Sequence, residues 1–250
     1  MKGIKGERLD ERVVREGLAP SRTAAQALII AGRVLVDDER VDKSGTRIAT
    51  ERTIRIKGGE RRFVSRGGDK LSEALVDFKF DPRGRVCLDV GASTGGFTDC
   101  LLQNGATRVV AIDVGHSQMH SSLRLDGRVD VREKVNARNL GPDDFKESFD
   151  LVVADVSFIS LELILPAIHG CAPAADWLLL VKPQFEVGRD QVGKGGVVRD
   201  DALREGAVDH VSEAARALGR RELGRAESRI AGPKGNREIF LWISPAKVEE

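Results

Sequence analysis

What this chain has little of already excludes several protein classes. No apolar run approaches the roughly 18 residues that a membrane-crossing helix needs. Residues 1–7 carry no apolar h-region, so no secretory leader is expected. Cysteine is scarce: Cys87, Cys100 and Cys171 stand far apart, which excludes a disulfide framework and a zinc cluster. His116, His120, His169 and His210 show no ligand spacing, and no metal is expected. Aromatic residues are only 4% of the 250, and none precedes Phe63. With 41% hydrophobic and 32% charged residues, the expectation is a reduced, soluble, cytoplasmic protein with a packed core.

The net charge of +1 hides an asymmetry. Residues 1–68 carry 16 Lys and Arg against 10 Asp and Glu, whereas residues 69–250 carry 24 against 29. A basic first quarter on a mildly acidic remainder predicts a polyanion-docking part and a chemistry part. The basic part reads as two short helices on a small sheet. Leu9, Val13 and Val14 share a stripe over residues 8–17, and Gly17 stops that helix. Ser21 caps a second helix over 21–31, with Ala24, Ala27, Leu28 and Ala31 inward and Gly32 after its end. Residues 34–36 and 54–56 alternate as strands do. Arg8, Arg12, Arg15, Arg22, Arg33 and Lys43 offer a basic face for phosphates, with Arg8, Arg22 and Lys43, and Arg66 further on, as RNA contacts. Without aromatics it cannot stack bases, so structured RNA is the expected partner. Arg8-Leu9-Asp10, Gly17-Leu18-Ala19-Pro20-Ser21-Arg22, Leu28-Ile29 and Gly32-Arg33-Val34 resemble the RNA-binding module named after ribosomal protein S-four. The acids Asp37-Asp38-Glu39 stand where that family commonly has a small Asn-Gly or Asp-Gly hairpin. The module is taken as residues 1–58 and a Gly- and Arg-rich linker as 59–65, docked through Phe63 and Val64; a catalytic domain fills 66–250.

In the larger part, the apolar run 86–90 leads into Gly91-Ala92-Ser93-Thr94-Gly95-Gly96-Phe97. Strand, glycine turn and helix form the cofactor corner of a doubly wound sheet. The spacing fits neither a dinucleotide fingerprint nor a P-loop. With Asp89 before the turn and Asp113 ending the next strand, it suits a cationic amino-acid cofactor such as S-adenosylmethionine. Candidate contacts are Asp89, Gly91, Ala92, Ser93, Gly95, Gly96, Phe97, Asp113 for a ribose, Asn136 for adenine, and Asp155. Further strands are expected at 129–131, 149–155, 177–182, 222–230 and 238–244, and helices at 92–104, 117–125, 160–171 and 200–218. This alternation predicts an α/β fold with a mostly parallel sheet whose last strand is antiparallel. Seven strands with a terminal hairpin resemble the class I, Rossmann-like methyltransferase fold. Asp155 and Lys182 each end an apolar strand on the edge that carries the glycine turn. Free lysine titrates near 10.4 and stays protonated, so a base role needs burial or a second cation such as Lys70.

Ser65-Arg66-Gly67-Gly68-Asp69-Lys70-Leu71, the glycine turn, Ala154-Asp155-Val156-Ser157-Phe158, Val181-Lys182-Pro183-Gln184-Phe185-Glu186-Val187-Gly188 and Gly235-Asn236-Arg237-Glu238 resemble the TlyA family of rRNA ribose 2′-O-methyltransferases, historically labelled haemolysins. The resemblance spans nearly the whole chain. It implies an FtsJ-type catalytic tetrad at Lys70, Asp155, Lys182 and Glu238, acting on a cytidine of large- or small-subunit rRNA. It departs at Phe63, where the family often has Trp, and at Asp69, where Tyr or His is common. In-line transfer with Lys182 as base is the expected mechanism, with residues 188–196 as a candidate lid. The alternatives are a non-enzymatic RNA-binding assembly factor and a membrane-active haemolysin. The segment Asp155-Val156-Ser157-Phe158 lacks the Pro-Pro-aromatic pattern of base methylation. The end of the chain soon after Ser244 resembles the shorter branch of the family and tilts towards large-subunit RNA.

Overall fold

The structure, a computed structural model, describes residues 6–57 and 62–246, apart from the side chains of Arg189 and Pro233. Residues 58–61, at the start of the expected linker, and residues 1–5 lie outside the described residues. The chain divides into two compact units, residues 1–61 and 62–250.

In the first unit β1 (Glu7–Arg8) leads into α1 (Leu9–Arg15) and α2 (Arg22–Ile30), then β2 (Val34–Val36), β3 (Glu39–Arg40), β4 (Arg47–Ile48) and β5 (Ile54–Ile56). β1 pairs with β4, and β3-β2-β5 form an antiparallel sheet. Ser21 Oγ accepts from the Ala24 amide at 3.2 Å and caps α2. Gly17 (φ +73) and Gly32 (φ +66) take the left-handed positions that end the two helices. The inward stripe of α2 is half the expected one: Ala24 and Leu28 pack against the core beside the fully buried Ala25 and Ile29, while Ala27 and Ala31 face solvent. Ile29 and Ala25 sit four apart on one face, and Ile30, of equal bulk, is left 69% exposed on another. Arg12 also departs from expectation. It is buried and donates to the carbonyls of Ala49 (2.5 Å), Thr50 (3.0 Å) and Arg52 (2.5 Å), so it staples the unit rather than facing phosphate. At the β2–β3 turn Asp37 (φ +50) and Asp38 (φ +70) both adopt the left-handed region that a tight hairpin requires. Asp37 Oδ1 accepts from the Thr53 amide at 2.8 Å, and Asp38 pairs with Arg55 at 2.5 Å, so both acids are engaged within the sheet.

The second unit runs α3 (Arg66–Asp77), β6 (Val86–Val90), α4 (Gly96–Gln103), β7 (Arg108–Asp113), α5 (Ser121–Arg124), β8 (Val129–Glu133), β9 (Leu151–Ala154), α6 (Leu165–Cys171), β10 (Asp176–Val181), α7 (Pro183–Glu186), α8 (Asp201–Ala217), β11 (Arg220–Glu227) and β12 (Ile239–Pro245). The sheet order is β11-β12-β10-β9-β6-β7-β8. β6 to β10 pair in parallel, and β12 runs antiparallel to both neighbours. Alternate residues feed opposite faces: Leu88, Val90, Val152 and Leu179 enter one core, Cys87, Val109, Val153 and Leu180 the other. Phe63 is buried against Leu71 and Phe97, within this unit. Three helices are shorter than expected. Gly91 (φ +82), Ser93 (φ +49) and Gly95 (φ +93) are left-handed, so no helix can begin before Gly96. Only Ser121–Arg124 is α-helical in the expected 117–125 segment. A 3₁₀ turn, Leu161–Leu163, precedes α6, whose second residue is Pro166.

Candidate active site

The strand order reverses at β6, between β9 and β7, and a crevice opens there beyond the carboxyl ends of the strands. Gly91 has to be glycine: a Cβ on it would lie 2.7 Å from the Asp155 carbonyl oxygen. Its turn carries the β6 end under β9 and leaves a chain of three adjoining cavities. The first, about 390 Å³, is lined by Gly91, Ser93, Asp113, Asn136, Asp155 and apolar Val135 and Ile164, among others. The second, about 190 Å³, shares Gly91, Ser93 and Asp155 with it and adds Asp89, Ala92, Gly96, Phe97 and Lys182. The third, about 340 Å³, shares Ser157 and Lys182 with the second and reaches Phe185 and Lys234.

The expected cofactor residues take distinct places around these cavities. Asp113 accepts from the Ser93 amide at 2.8 Å and the Gly115 amide at 2.7 Å, which holds it at the mouth of the first cavity. Asn136 lines the same cavity and caps the 3₁₀ turn Ala137–Asn139 through the Arg138 amide. Asp89 is fully buried at the floor of the second. Its Oδ2 accepts from Thr98 Oγ1 at 2.6 Å, and its Oδ1 has no protein partner. Burial pushes this carboxyl up to about 7, against the smaller opposing pull of the Thr98 hydroxyl. Gly95, Gly96 and Phe97 also serve packing. A Cβ on Gly95 would meet Leu123 Cδ1 at 2.3 Å, and one on Gly96 would meet the Gly68 amide nitrogen at 2.8 Å. Phe97 stacks on Phe240 with centroids 5.9 Å apart and turns its ring into the core.

Two lysine–carboxylate pairs stand at the strand ends. Lys182 Nζ lies 2.5 Å from Asp155 Oδ1 and donates to Ser157 Oγ at 2.8 Å. Lys70 Nζ, from the second turn of α3, lies 2.5 Å from Glu238 Oε2. Both lysines are buried, and Glu238 is completely so, with Oε1 unpartnered. The β10–β12 register pairs Val181 with Ile239, which sets Lys182 and Glu238 side by side one step beyond the ladder. The structure therefore brings the four expected catalytic residues to neighbouring strand ends as two pairs, of which Asp155 and Lys182 line the cavities while Lys70, on α3, and Glu238 lie buried behind them.

Reading the sequence missed Ser157 and Thr98, the hydroxyls bonded to Lys182 and Asp89; Ser157 lies inside a quoted motif and Thr98 directly follows the glycine turn, and their polar character was the available signal. It also missed the Phe158–Phe185 pair, centroids 5.2 Å apart, with Phe158 90% exposed and at φ +66. Of the expected RNA residues, Arg8 and Arg22 share the buried Asp10, Arg8 through two bonds of 3.0 Å and Arg22 through one of 3.0 Å, with outer faces exposed. Lys43 is exposed, and Arg66 is half-buried at the start of α3. Among the described residues no helix is long and apolar enough to cross a membrane.

A seven-stranded sheet with a reversed last strand, a glycine turn and acids at two strand ends defines a Rossmann-type methyltransferase. The chain belongs to the FtsJ-like methyltransferase family, which it matches over residues 63–244, and residues 7–54 match the S4 domain. It is 50% identical over 238 residues to the 16S/23S rRNA (cytidine-2′-O)-methyltransferase TlyA of Mycobacterium tuberculosis, covering 94% of this chain and 89% of the relative. It is 42% identical over 235 residues to Hemolysin A of Brachyspira hyodysenteriae, covering 93% and 98% of the two chains. Among solved structures, a hemolysin-named protein of Streptococcus thermophilus superposes with a TM-score of 0.76 at 40% identity, over 98% of this chain and 90% of that one.

Proposed function

We propose that this chain is an S-adenosylmethionine-dependent rRNA methyltransferase that modifies a ribose 2′-hydroxyl of cytidine. The observation that carries the reading is the place of Lys182: its side chain lines both the cavity above Asp89 and the cavity beside Phe185. The cofactor fits the residues present. The unpartnered oxygen of Asp89 faces a need for a cation, the cofactor's ammonium supplies one, and Gly91 keeps the turn free of side chain. Asp113 would hold the ribose, while Asn136, with Val135 and Ile164, would hold the adenine. When bound, the cofactor supplies an electrophilic methyl group on a sulfonium.

Lys182, as the amine, removes the 2′-hydroxyl proton. Asp155 and Ser157 fix its nitrogen, and Asp155 stabilises the ammonium that results. Lys70 and Glu238 act as a buried pair at the next strand end: Glu238 holds the Lys70 ammonium in place, and Lys70 adds positive potential beside the base. Alignment and exclusion of water contribute most of the rate. Arg8, Arg22, Lys43 and Arg66 contact RNA phosphates. Calorimetry with S-adenosylmethionine, followed by nucleoside mass spectrometry of treated rRNA, tests the reading: binding and 2′-O-methylcytidine are expected, and a binding-silent protein contradicts it.

A further inference from the structure

A second cation stands at the rim of the cavity that Lys182 lines. Lys234 belongs to the turn 232–236 and has φ +63, a left-handed conformation that side chains other than glycine, asparagine and aspartate rarely adopt. The turn is closed by the Gly232 amide donating to the Asn236 carbonyl at 2.8 Å and the Gly235 amide donating to the Gly232 carbonyl at 3.0 Å. Asn236 is buried and clips this turn to the loop opposite. Its Oδ1 accepts from the Val198 amide at 3.1 Å, and its Nδ2 donates to the Gly196 carbonyl at 2.8 Å. Across that junction Gly195 (φ +86) and Gly196 (φ +82) are left-handed too, and a Cβ on Gly196 would come within 3.7 Å of Lys234 Nζ. Lys234 is exposed and lines the cavity that Ser157, Lys182, Phe158 and Phe185 also line.

The fixed turn sets the lysine at the edge of the cleft, where its side chain is open to an incoming ligand. The cavity joins aromatic faces, the base Lys182 and a rim cation. These match the base, the sugar hydroxyl and the phosphate of a ribonucleotide, in that order. We propose that Lys234 binds a backbone phosphate of the acceptor nucleotide and so holds its ribose against Lys182. The inference rests on the reading of the chain as an rRNA ribose methyltransferase.

The test uses the full-length protein and rRNA from cells that lack the enzyme. Lys234→Gly suits the backbone and removes the ammonium, so the turn persists. It should raise KM for RNA roughly tenfold and reduce the slope of log KM against log salt by about 0.7–0.9, the share of one phosphate contact. Affinity for S-adenosylmethionine should not change, and Lys234→Arg should restore KM and slope together. An unaltered KM and slope in Lys234→Gly overturns the proposal. So does a raised KM with an unaltered slope, which would assign Lys234 to holding the loop. A wild-type enzyme inactive on rRNA overturns the functional reading itself, and this proposal with it.

Discussion

Lys70 and Glu238 are 168 residues apart in the chain and meet at 2.5 Å in a site closed to solvent. A buried pair of this kind costs more to break than to replace. Glu238→Ala leaves the Lys70 ammonium unpaired, and a loss of about 3–5 kcal/mol is expected in urea unfolding. Lys70→Met combined with Glu238→Leu should recover most of that stability and none of the methyl transfer. Recovery of activity in the double variant would reduce the pair to a packing element.

Asp89 couples cofactor binding to pH. Its folded carboxyl titrates near 7 because burial opposes its charge, while the unfolded one has the ordinary value of 3.8. The folded chain therefore holds a proton that the unfolded chain has released between these values. Its contribution is fully present below 3.8 and is lost as the pH rises through about 7. Without cofactor, thermal stability should fall between pH 4 and 7 in the wild type more than in Asp89→Asn, and level off above 7. Affinity for S-adenosylmethionine should rise over the same window, because the ionised carboxylate pairs with the ammonium. Calorimetry in buffers of different ionisation enthalpy should register proton release on binding near neutral pH, and none in Asp89→Asn.

Arg12 and Arg22 separate structure from recognition in the first unit. Arg12→Ala leaves three carbonyl oxygens without their donor, and a loss of about 3 kcal/mol in that unit's stability is expected. Arg12→Lys should recover little, because one ammonium cannot span the three acceptors. Arg22→Ala leaves the buried Asp10 its bonds to Arg8 and Gln26, so it should cost less stability than Arg12→Ala and weaken RNA binding, which filter binding at two salt concentrations would show.

Gly96 and Gly68 let α3 and α4 approach backbone to backbone. A methyl at Gly96 meets Ser65 Oγ at 2.2 Å and the Gly68 nitrogen at 2.8 Å, so Gly96→Ala should cost about 2 kcal/mol and loosen the second cavity. Gly127→Ala meets nothing within 4 Å, has no left-handed φ, and is the matched control.

The parts of the fold that showed in the sequence were those with strong local signals. Strands 34–36, 54–56 and 86–90 carry β-branched runs bounded by turn residues, and the structure has strands at those same bounds. The paired β1 and β4 are two residues each, too short for any periodicity to register. Arg12 resembled its surface neighbours because nothing local marks a guanidinium that reaches carbonyls 37 to 40 residues away. Asp155 and Lys182 were readable as charges ending apolar strands, since a parallel sheet forces such ends to one edge. Lys70 and Glu238 carried no such signal. Their partnership depends on α3 entering beside β12, and only the family resemblance pointed to it.

The most direct test of the central claim compares wild type with Lys182→Ala on rRNA from cells that lack the enzyme, read by mass spectrometry of digested nucleosides. The account predicts 2′-O-methylcytidine with the wild type and none with the variant, while calorimetry finds the same S-adenosylmethionine affinity in both. Methylated ribose formed by Lys182→Ala at the wild-type rate, or methyl found on a base, would contradict it.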